Sequence, residues 1–368
     1  MRTLVFAIVL AVSSSPFVSG SPKPTGGTGT IYLGSYARRM VVIDEATEQV
    51  TAEIPLTTGI PWSARRSQDA TRFYIQNADQ EHFEVVDLAT RKSIDSFTLS
   101  EGNTKVRALA FAVDPQHRIM TLVTRTTTKL ADRFEIGAPT FIQYDLRDHK
   151  VIHTLPWPTD PEPAYFSLVI RYSPDGKLLY VFSDEVLILD ATSLQQLGSW
   201  DLSLSNEPAL GRFDLGSLDD TNDDPAWFSA LFTLKDPVQN RPLLVVGRVN
   251  LDQRSLDFFP LGPATEQGQV SFALGSDRHA YALVQGIGHY ELWTIDLASK
   301  RRQSKVEFKG RPRMAIRTSS NGKIIYLYQA GNTIDLYEAD GFKYLRTITL
   351  DGDMPYNTFH VVPPRTPR

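Results

Sequence analysis

Three arginines stand at the same place in a recurring short pattern, two residues before a serine. The three copies are RRSQD (65–69), RYSPD (171–175) and RTSSN (317–321). The alignment selects Arg65, Arg171 and Arg317, although a slip of one residue would exchange Arg65 for Arg66. His360 falls near the same level. If these side chains converge, they form a cationic ring for a carboxylate, a phosphate or a partner's acidic side chain. The competing interpretation pairs them with acids between neighbouring repeats.

A run of acids is the second candidate site. The segment DDTNDD (219–224) supplies hard oxygen ligands of the kind that calcium prefers. It lacks the glycine and the glutamate of an EF-hand loop, so a solvated charged loop is the competing interpretation. The candidate ligands are Asp219, Asp220, Asn222, Asp223 and Asp224.

Other chemistries leave little trace in the sequence. The chain has no cysteine, which excludes disulfides, thiolate metal sites and c-type haem attachment in this chain. No nucleophile elbow, phosphate-binding loop or dinucleotide fingerprint is present. A net charge of -4 argues against nucleic acid as a partner.

A hairpin recurs seven times along the chain: an apolar strand, an acid or Asn, a polar turn, and a second strand. Aspartate and asparagine cap such turns by accepting hydrogen bonds from nearby backbone N–H groups. The polar positions are Asp44, Asp87, Asp145, Asp190, Asn250, Asp296 and Glu338.

A second strand–turn–strand unit precedes most of these hairpins, most clearly at 171–183 and 317–329. Four strands in a repeat of about 40–50 residues are typical of propeller blades. The first hairpin has only GTIYLGSY (29–36) before it, and the segment MPYNTFHVVPP (354–364) is an orphan strand. The sequence therefore predicts an all-β, seven-bladed β-propeller of four-stranded blades, its ring closed by pairing of the N- and C-terminal segments.

Two blades depart from the repeat. One carries a long insertion between Thr121 and Phe141, and the other has an irregular stretch from Asp201 to Trp227. In the second we expect ALGRFDLG (209–216) as the inner strand and WFSALFTL (227–234) as the next one. Insertions on a rigid ring are natural binding elements, although they are also where loops simply vary.

The stretch YSPDGKLLYVFSDEVLILDATS (172–193) resembles the YVTN-type propellers. The segments at 130–155 and 227–256 are similar to the insertion-and-hairpin segment and the elongated fifth blade of the quinohaemoprotein amine dehydrogenase β chain. That resemblance implies a cofactor-free propeller whose partner chains carry haem and a quinone cofactor.

The first 20 residues have the order of a signal peptide: a charge at Arg2, an apolar stretch at 4–12, then small residues up to a cleavage site after Gly20. The apolar stretch is too short to span a membrane. We expect a signal peptide at 1–20, a flexible leader at 21–28, one propeller domain at 29–363 and a tail at 364–368. The expected location is the periplasm or the exterior, without a membrane anchor.

The sequence favours a non-catalytic propeller subunit or binding scaffold that holds a protein partner on one face through the two irregular segments. The alternative is a lactonase-like propeller hydrolase with a site at the mouth of the channel. A scaffold needs an exposed apolar or aromatic face, whereas a hydrolase needs polar groups that converge on the channel.

Overall fold

The computed structural model describes residues 24–158, 168–182, 186–200, 213–219, 225–235, 238–239, 241–264, 270–275, 278–286, 288–309, 314–329, 331–355 and 357–364. All regular structure in these residues is β-strand. Blades 1 to 3 contain β1 (Thr30–Ser35), β2 (Arg39–Asp44), β3 (Gln49–Pro55); β4 (Pro61–Arg66), β5 (Arg72–Asn77), β6 (His82–Asp87), β7 (Lys92–Thr98); and β8 (Thr104–Val113), β9 (Ile119–Lys129), β10 (Phe134–Ile136), β11 (Thr140–Asp145), β12 (Lys150–Pro156).

The remaining blades follow the same order along the chain. Blade 4 contains β13 (Val169–Tyr172), β14 (Leu178–Phe182), β15 (Val186–Asp190) and β16 (Gln196–Trp200). Blade 5 contains β17 (Phe213–Asp219), β18 (Trp227–Lys235), β19 (Pro242–Asn250) and β20 (Ser255–Pro263). Blades 6 and 7 contain β21 (Val270–Leu274), β22 (His279–Gly286), β23 (His289–Asp296), β24 (Arg301–Lys309); and β25 (Met314–Thr318), β26 (Ile324–Gln329), β27 (Thr333–Glu338), β28 (Tyr344–Thr349).

The two ends of the chain complete blade 1 together. The last strand, β29 (His360–Val362), pairs antiparallel with β1, so that the sheet order is β29-β1-β2-β3. The predicted closure is therefore confirmed. Closure matters because an open ring would expose the apolar faces of its two end blades to water.

Each blade packs against its neighbours through both faces of its sheet. Side chains alternate along a strand, so Val41 and Ile43 of β2 face blade 7, whereas Met40 and Val42 face blade 2. Seven apolar clusters of this kind join successive blades around the ring, from blades 7 and 1 through to blades 6 and 7. The architecture is the predicted seven-bladed β-propeller.

The capped hairpins are also confirmed. Asp44 Oδ1 accepts from the backbone N–H of Thr47 at 2.8 Å, and Asp190 Oδ1 accepts from that of Ser193 at 2.8 Å. These hydrogen bonds are the main cause that lowers the pKa of both carboxyl groups below the ordinary value. Equivalent caps occur at Asp87, Asp145, Asn250 and Asp296.

The strand direction gives the ring two distinct faces. One face of the ring carries the turn between the first (inner) and second strands of each blade and the turn between the third and fourth, such as 67–71 and 88–91 in blade 2. We call it the "hairpin face". We call "connection face" the opposite one, which carries the turns between second and third strands and the links between blades, such as 78–81 and 56–60. A site is therefore located by the strand end at which its residues lie.

Residues 24–28, within the segment expected as a leader, lie against blade 7. Asn321 donates to the carbonyl of Thr25 through Nδ2 at 3.0 Å and to that of Gly26 through its backbone N–H at 3.1 Å. Arg346 donates to the carbonyl of Pro24 at 2.7 Å. The residues that precede β1 are thus hydrogen-bonded to blade 7.

Candidate functional site

The inner strands place the predicted cations in one register. Each lies across from an aromatic hydroxyl residue of its blade's second strand: Arg65 opposite Tyr74, Arg171 opposite Tyr180, Arg317 opposite Tyr326 and His360 opposite Tyr32. Those tyrosines occupy equivalent positions in their blades. Each pairs with a residue of the third strand that stands two positions before the polar hairpin residue; Tyr180, for example, pairs with Ile188, two positions before Asp190. The structure therefore selects Arg65 and not Arg66.

The other three blades complete this level with different residues. By the same pairing rule, the positions are Ala112 opposite Thr121, Asp219 opposite Ser229 and Ala273 opposite Tyr281. Around the ring the level reads His360, Arg65, Ala112, Arg171, Asp219, Ala273 and Arg317. The sequence pattern does not show that Asp219 lies at the arginine level. The register of β17 would have revealed it, but the expected inner strand at 209–216 begins four residues before the observed Phe213–Asp219.

Two of the predicted cations line one pocket at the channel. Its volume is about 100 Å³, and it lies among the inner strands of blades 2, 3 and 4, next to Pro225 of blade 5. The polar lining side chains are Arg65, Arg66, Ser67, Gln68, Tyr74, Arg171 and Tyr172, and the remainder are Phe111, Ala112, Val113, Ile170 and Pro225. The presence of Ser67 and Gln68 places the pocket towards the hairpin face.

Aromatic rings lie against two of the three guanidinium groups of this pocket. The Arg65 guanidinium carbon lies 5.5 Å from the centre of the Phe111 ring, and that of Arg171 lies 5.1 Å from the centre of the Phe228 ring. Arg171 also donates to the backbone carbonyl of Trp227 at 3.0 Å. These contacts fix the positions of two flexible side chains.

The other two predicted cations take part in the closure of the ring. Arg317 donates to the carbonyls of Phe359 at 3.1 Å and Ile316 at 2.8 Å. His360 is 4% exposed, and its ring lies 4.9 Å from that of Phe73. Neither residue lines the pocket that holds Arg65 and Arg171. The structure thus brings two of the four predicted cations into one pocket and leaves the other two outside it.

Only the first residue of the acidic run at 219–224 belongs to the part of the chain that the structure describes. Asp219 is the last residue of β17, on the hairpin face, whereas Asp220, Asn222, Asp223 and Asp224 lie outside the described residues. Within the described ranges, no group of three His, Cys, Asp or Glu side chains could hold a metal ion. The calcium site stays a prediction.

A hydrogen-bonded histidine between blades 2 and 3 was also missed. His117 contacts the Tyr74 hydroxyl at 2.8 Å through Nδ1 and the Asp69 carboxylate at 3.0 Å through Nε2. Burial raises the pKa of Asp69, but hydrogen bonds from Ser67, His117 and Thr71 outweigh it and bring it to about 2. This cluster joins the turns of two blades; no sequence motif marks it, because its members come together only across a blade boundary.

The insertion of blade 3 builds a groove on the connection face. Strands β8 and β9 are 10 and 11 residues long, and β10 pairs with the C-terminal end of β9. A groove of about 530 Å³ lies beside them, lined by Trp62, Ala78, Gln80, Arg107, Leu109, Arg125, Thr127 and Ile136. Trp62, Phe134 and Ile136 are 43%, 66% and 64% exposed, so three large apolar side chains are accessible to solvent at or beside the groove. We call Trp62, Phe134, Ile136 and the groove the blade 3 patch.

Among the described residues, no helix has the length and apolar character needed to cross a membrane. The scan against protein-family models finds no match, and neither does the search of curated proteins.

Comparison with solved structures defines the class of fold. Hydrazine synthase of Kuenenia stuttgartiensis is similar with a TM-score of 0.51 and 13% identity, over 79% of this chain and 86% of that one. Dihydro-haem d1 dehydrogenase NirN, in complex with DHE, gives 0.52 and 14%, over 94% and 79%. A functionally unknown protein from Desulfotomaculum acetoxidans gives 0.54 and 13%, over 92% and 100%. At such identities the likeness concerns the fold alone, and it agrees with the seven-bladed propeller.

Proposed function

We propose that this chain is a non-catalytic propeller subunit that binds a partner protein through the blade 3 patch. The observation that carries the proposal is the exposure of Phe134, Ile136 and Trp62 beside a groove on one face of a closed ring. Large exposed apolar side chains that lie close together mark interaction sites more often than isolated ones do.

The composition of the patch fits a protein interface. Aromatic residues and arginine are enriched where proteins bind one another, and the groove combines Trp62 with Arg107 and Arg125. Arg107 also donates to Gln80 at 2.9 Å, which holds it at the groove. The partner surface that fits is apolar at its centre, with carboxylates placed to meet the two arginines.

The particular complex we propose is a periplasmic amine dehydrogenase of the quinohaemoprotein type, in which this chain takes the place of the β chain. The support is the resemblance of the segments at 130–155 and 227–256 to that β chain. The first of these segments includes β10 and the residues that lead into it. The haem and the quinone cofactor belong to the partner chains in this proposal, and a signal peptide at 1–20 directs this chain to the same compartment.

The test is purification of the protein from its native host, with a visible spectrum and mass spectrometry of the chains that accompany it. A haem Soret band together with a di-haem chain and a small quinone-bearing chain is the expected result. A colourless, solitary protein contradicts the complex. If that solitary protein hydrolyses lactones, the alternative function of a propeller hydrolase replaces the proposal.

A matched pair of variants locates the interface. The double variant Phe134→Ser/Ile136→Ser removes two exposed side chains from the patch and is expected to abolish co-purification of the haem-bearing chain. The control Val151→Ser/Ile152→Ser changes two side chains of β12, 46% and 37% exposed, on the outermost strand of the same blade. Equal loss in both variants would contradict the assignment of the patch.

A further inference from the structure

The two ends of the chain are joined by a short strand pairing. β29 pairs with β1 over three residues, from Thr30 with Val362 to Tyr32 with His360, whereas β1 pairs with β2 over six. Residues 24–29, which lead into β1, reach past this pairing to blade 7. We propose that this segment, which we call the N-terminal strap, is a second closure of the ring that keeps blades 1 and 7 together.

The turn between β25 and β26 of blade 7 binds the backbone of the N-terminal strap. The Ser320 hydroxyl donates to the carbonyl of Gly26 at 3.2 Å and accepts from the backbone N–H of Gly29 at 3.1 Å. The backbone N–H of Asn321 donates to the same Gly26 carbonyl at 3.1 Å, and its Nδ2 donates to the carbonyl of Thr25 at 3.0 Å. One turn of blade 7 is therefore hydrogen-bonded to both ends of the stretch 25–29.

Asn321 is the residue that adapts this turn to the strap. In blades 2 and 4 the same place is taken by Asp69 and Asp175, whose Oδ1 accepts from the backbone N–H two residues further on, at 3.1 Å in both. Asn321 Oδ1 keeps this role by accepting from the backbone N–H of Lys323 at 3.0 Å. That bond orients the amide so that Nδ2 faces the carbonyl of Thr25. An aspartate would retain the turn but would place an oxygen, which cannot donate, against that carbonyl.

Glycines allow the strap to approach the joint between the blades closely. Gly26 and Gly29 are both buried. A Cβ atom on Gly26 would overlap the Tyr326 hydroxyl of blade 7 and would lie 2.7 Å from Oε1 of Glu45 in blade 1. The backbone of the strap thus lies against side chains of both blades at once, where only glycine leaves enough room.

The strap also contacts an ion pair between the same two blades. Arg346 of β28 binds both carboxylate oxygens of Glu48, in the turn between β2 and β3, with Nε 2.7 Å from Oε2. The two side chains are only 13% and 12% exposed. The Arg346 guanidinium also donates to the carbonyl of Pro24 at 2.7 Å. The strap therefore extends from the inner turn of blade 7 to the outermost strand of that blade.

These contacts predict how the ring opens. The strap binds blade 7 independently of β29, so separation of blade 1 from blade 7 must break the strap contacts as well as the packing between the blades. Local opening of a protein depends on the contacts of the region that opens. A weakened strap should therefore make opening at this joint more frequent without an equal change in the other blades.

The test is hydrogen–deuterium exchange of the purified protein, followed by mass spectrometry of its peptides. Asn321→Asp is expected to speed exchange about tenfold or more in peptides that cover the strap, β1 and β29, and to leave peptides of β14 in blade 4 within about twofold of the wild type. Exchange at the joint as slow as in the wild type would overturn the proposal. So would faster exchange confined to the strap, because β1 and β29 would then stay closed without it.

A matched pair of glycine variants separates the strap from the turn that binds it. Gly26→Ala places one methyl group where the Tyr326 hydroxyl lies, and it should produce the same local increase even if Asn321→Asp does not fold. The control Gly198→Ala adds the same group in β16, where a Cβ atom meets nothing within 4 Å, and should leave exchange at the joint within about twofold. Equal effects of the two glycine variants, or an increase spread evenly over all blades, would refute the role of the strap.

Discussion

The carboxylate of Glu45 holds the joint between the first and the last blade, and its replacement by leucine is the sharpest test of the ring closure. Glu45 is fully buried in the turn between β2 and β3. Its Oε2 accepts from the backbone N–H of Gly29 at 3.0 Å, and its Oε1 accepts from the Tyr326 hydroxyl at 2.8 Å. The backbone N–H of Ser320 donates to both oxygens, at 3.2 and 3.3 Å.

Leucine is the appropriate replacement because other blades have an apolar residue at this place. The residues that follow the polar hairpin position elsewhere are Leu88, Leu146, Ala191, Leu251, Leu297 and Ala339. Glu45→Leu therefore suits the local backbone and leaves no large cavity. Any loss of stability then comes from the hydrogen-bond donors that lose their acceptor.

The structure sets the size of the effect. In Glu45→Leu, the Ser320 N–H and the Tyr326 O–H lose the acceptors described here, whereas the Gly29 N–H keeps the Ser320 hydroxyl at 3.1 Å. A buried donor without a partner costs about 1–3 kcal/mol. Two such donors, partly offset by the burial of the leucine side chain, predict a loss of about 2–4 kcal/mol in the free energy of unfolding.

The assay is urea denaturation followed by tryptophan fluorescence, with the slope of the transition compared among variants. The second variant is Glu45→Leu/Tyr326→Phe, which also removes the orphaned hydroxyl and should recover about 1–3 kcal/mol relative to Glu45→Leu alone. The control Glu53→Leu removes a half-exposed carboxylate of the same blade that pairs with Arg39 at 3.2 Å, and it should change stability by less than about 1 kcal/mol. A Glu45→Leu protein as stable as the wild type, or a double variant whose losses simply add, would refute the reasoning.

Three further measurements follow from the same contacts. Burial raises the pKa of Glu45 despite the hydrogen bonds that lower it, so the stability that this residue contributes is present below pH 4.5 and declines as pH rises through the raised pKa. The difference in the free energy of unfolding between the wild type and Glu45→Gln should therefore shrink as pH rises through that window. A difference that grows would contradict the prediction. Hydrogen bonds outweigh burial and bring the pKa of Asp69 to about 2, so its contribution to the free energy of unfolding is present above pH 3.8 and is lost as pH falls towards 2. Asp69→Asn should remove this part of the dependence of stability on acid pH. An acid transition unchanged in the variant would count against the prediction. Tyr180→Phe removes the hydroxyl that donates to the carbonyl of Leu251 at 2.6 Å and should cost about 1 kcal/mol, whereas Tyr344→Phe, on an exposed side chain, should cost less in the same denaturation series.

Local patterns in the sequence were enough for the architecture. Alternation of apolar residues and the capped turns at Asp44, Asp87 and the equivalent positions predict the strands, because a two-residue period and a side-chain cap act within a few residues. With four strands in each repeat, the first blade lacks its inner strand, and one strand at the C-terminus has no neighbour in sequence with which to pair. The pairing of β1 with β29 follows from that count.

The boundaries were weakest where the repeat is interrupted. The inner strand of blade 5 was expected at 209–216 and is observed at Phe213–Asp219, with a register shift between Leu215 and Leu218. A shift of this kind moves every later side chain to a different level of the channel. For that reason the place of Asp219 at the arginine level could not be derived from the sequence.

The sequence by itself determined which residue types occupy the inner strands and that Arg171 and Arg317 share one register, because register depends on turns only a few residues away. Strand pairing in the structure then selected Arg65, and not Arg66, as the third arginine of that level. Only the tertiary structure decided what each arginine does. Arg65 and Arg171 line one pocket because Ala112 separates them, whereas Arg317 lies at the ring closure and binds backbone carbonyls there. The difference arises from the neighbouring blades, whose residues are distant in sequence and meet only when the ring closes.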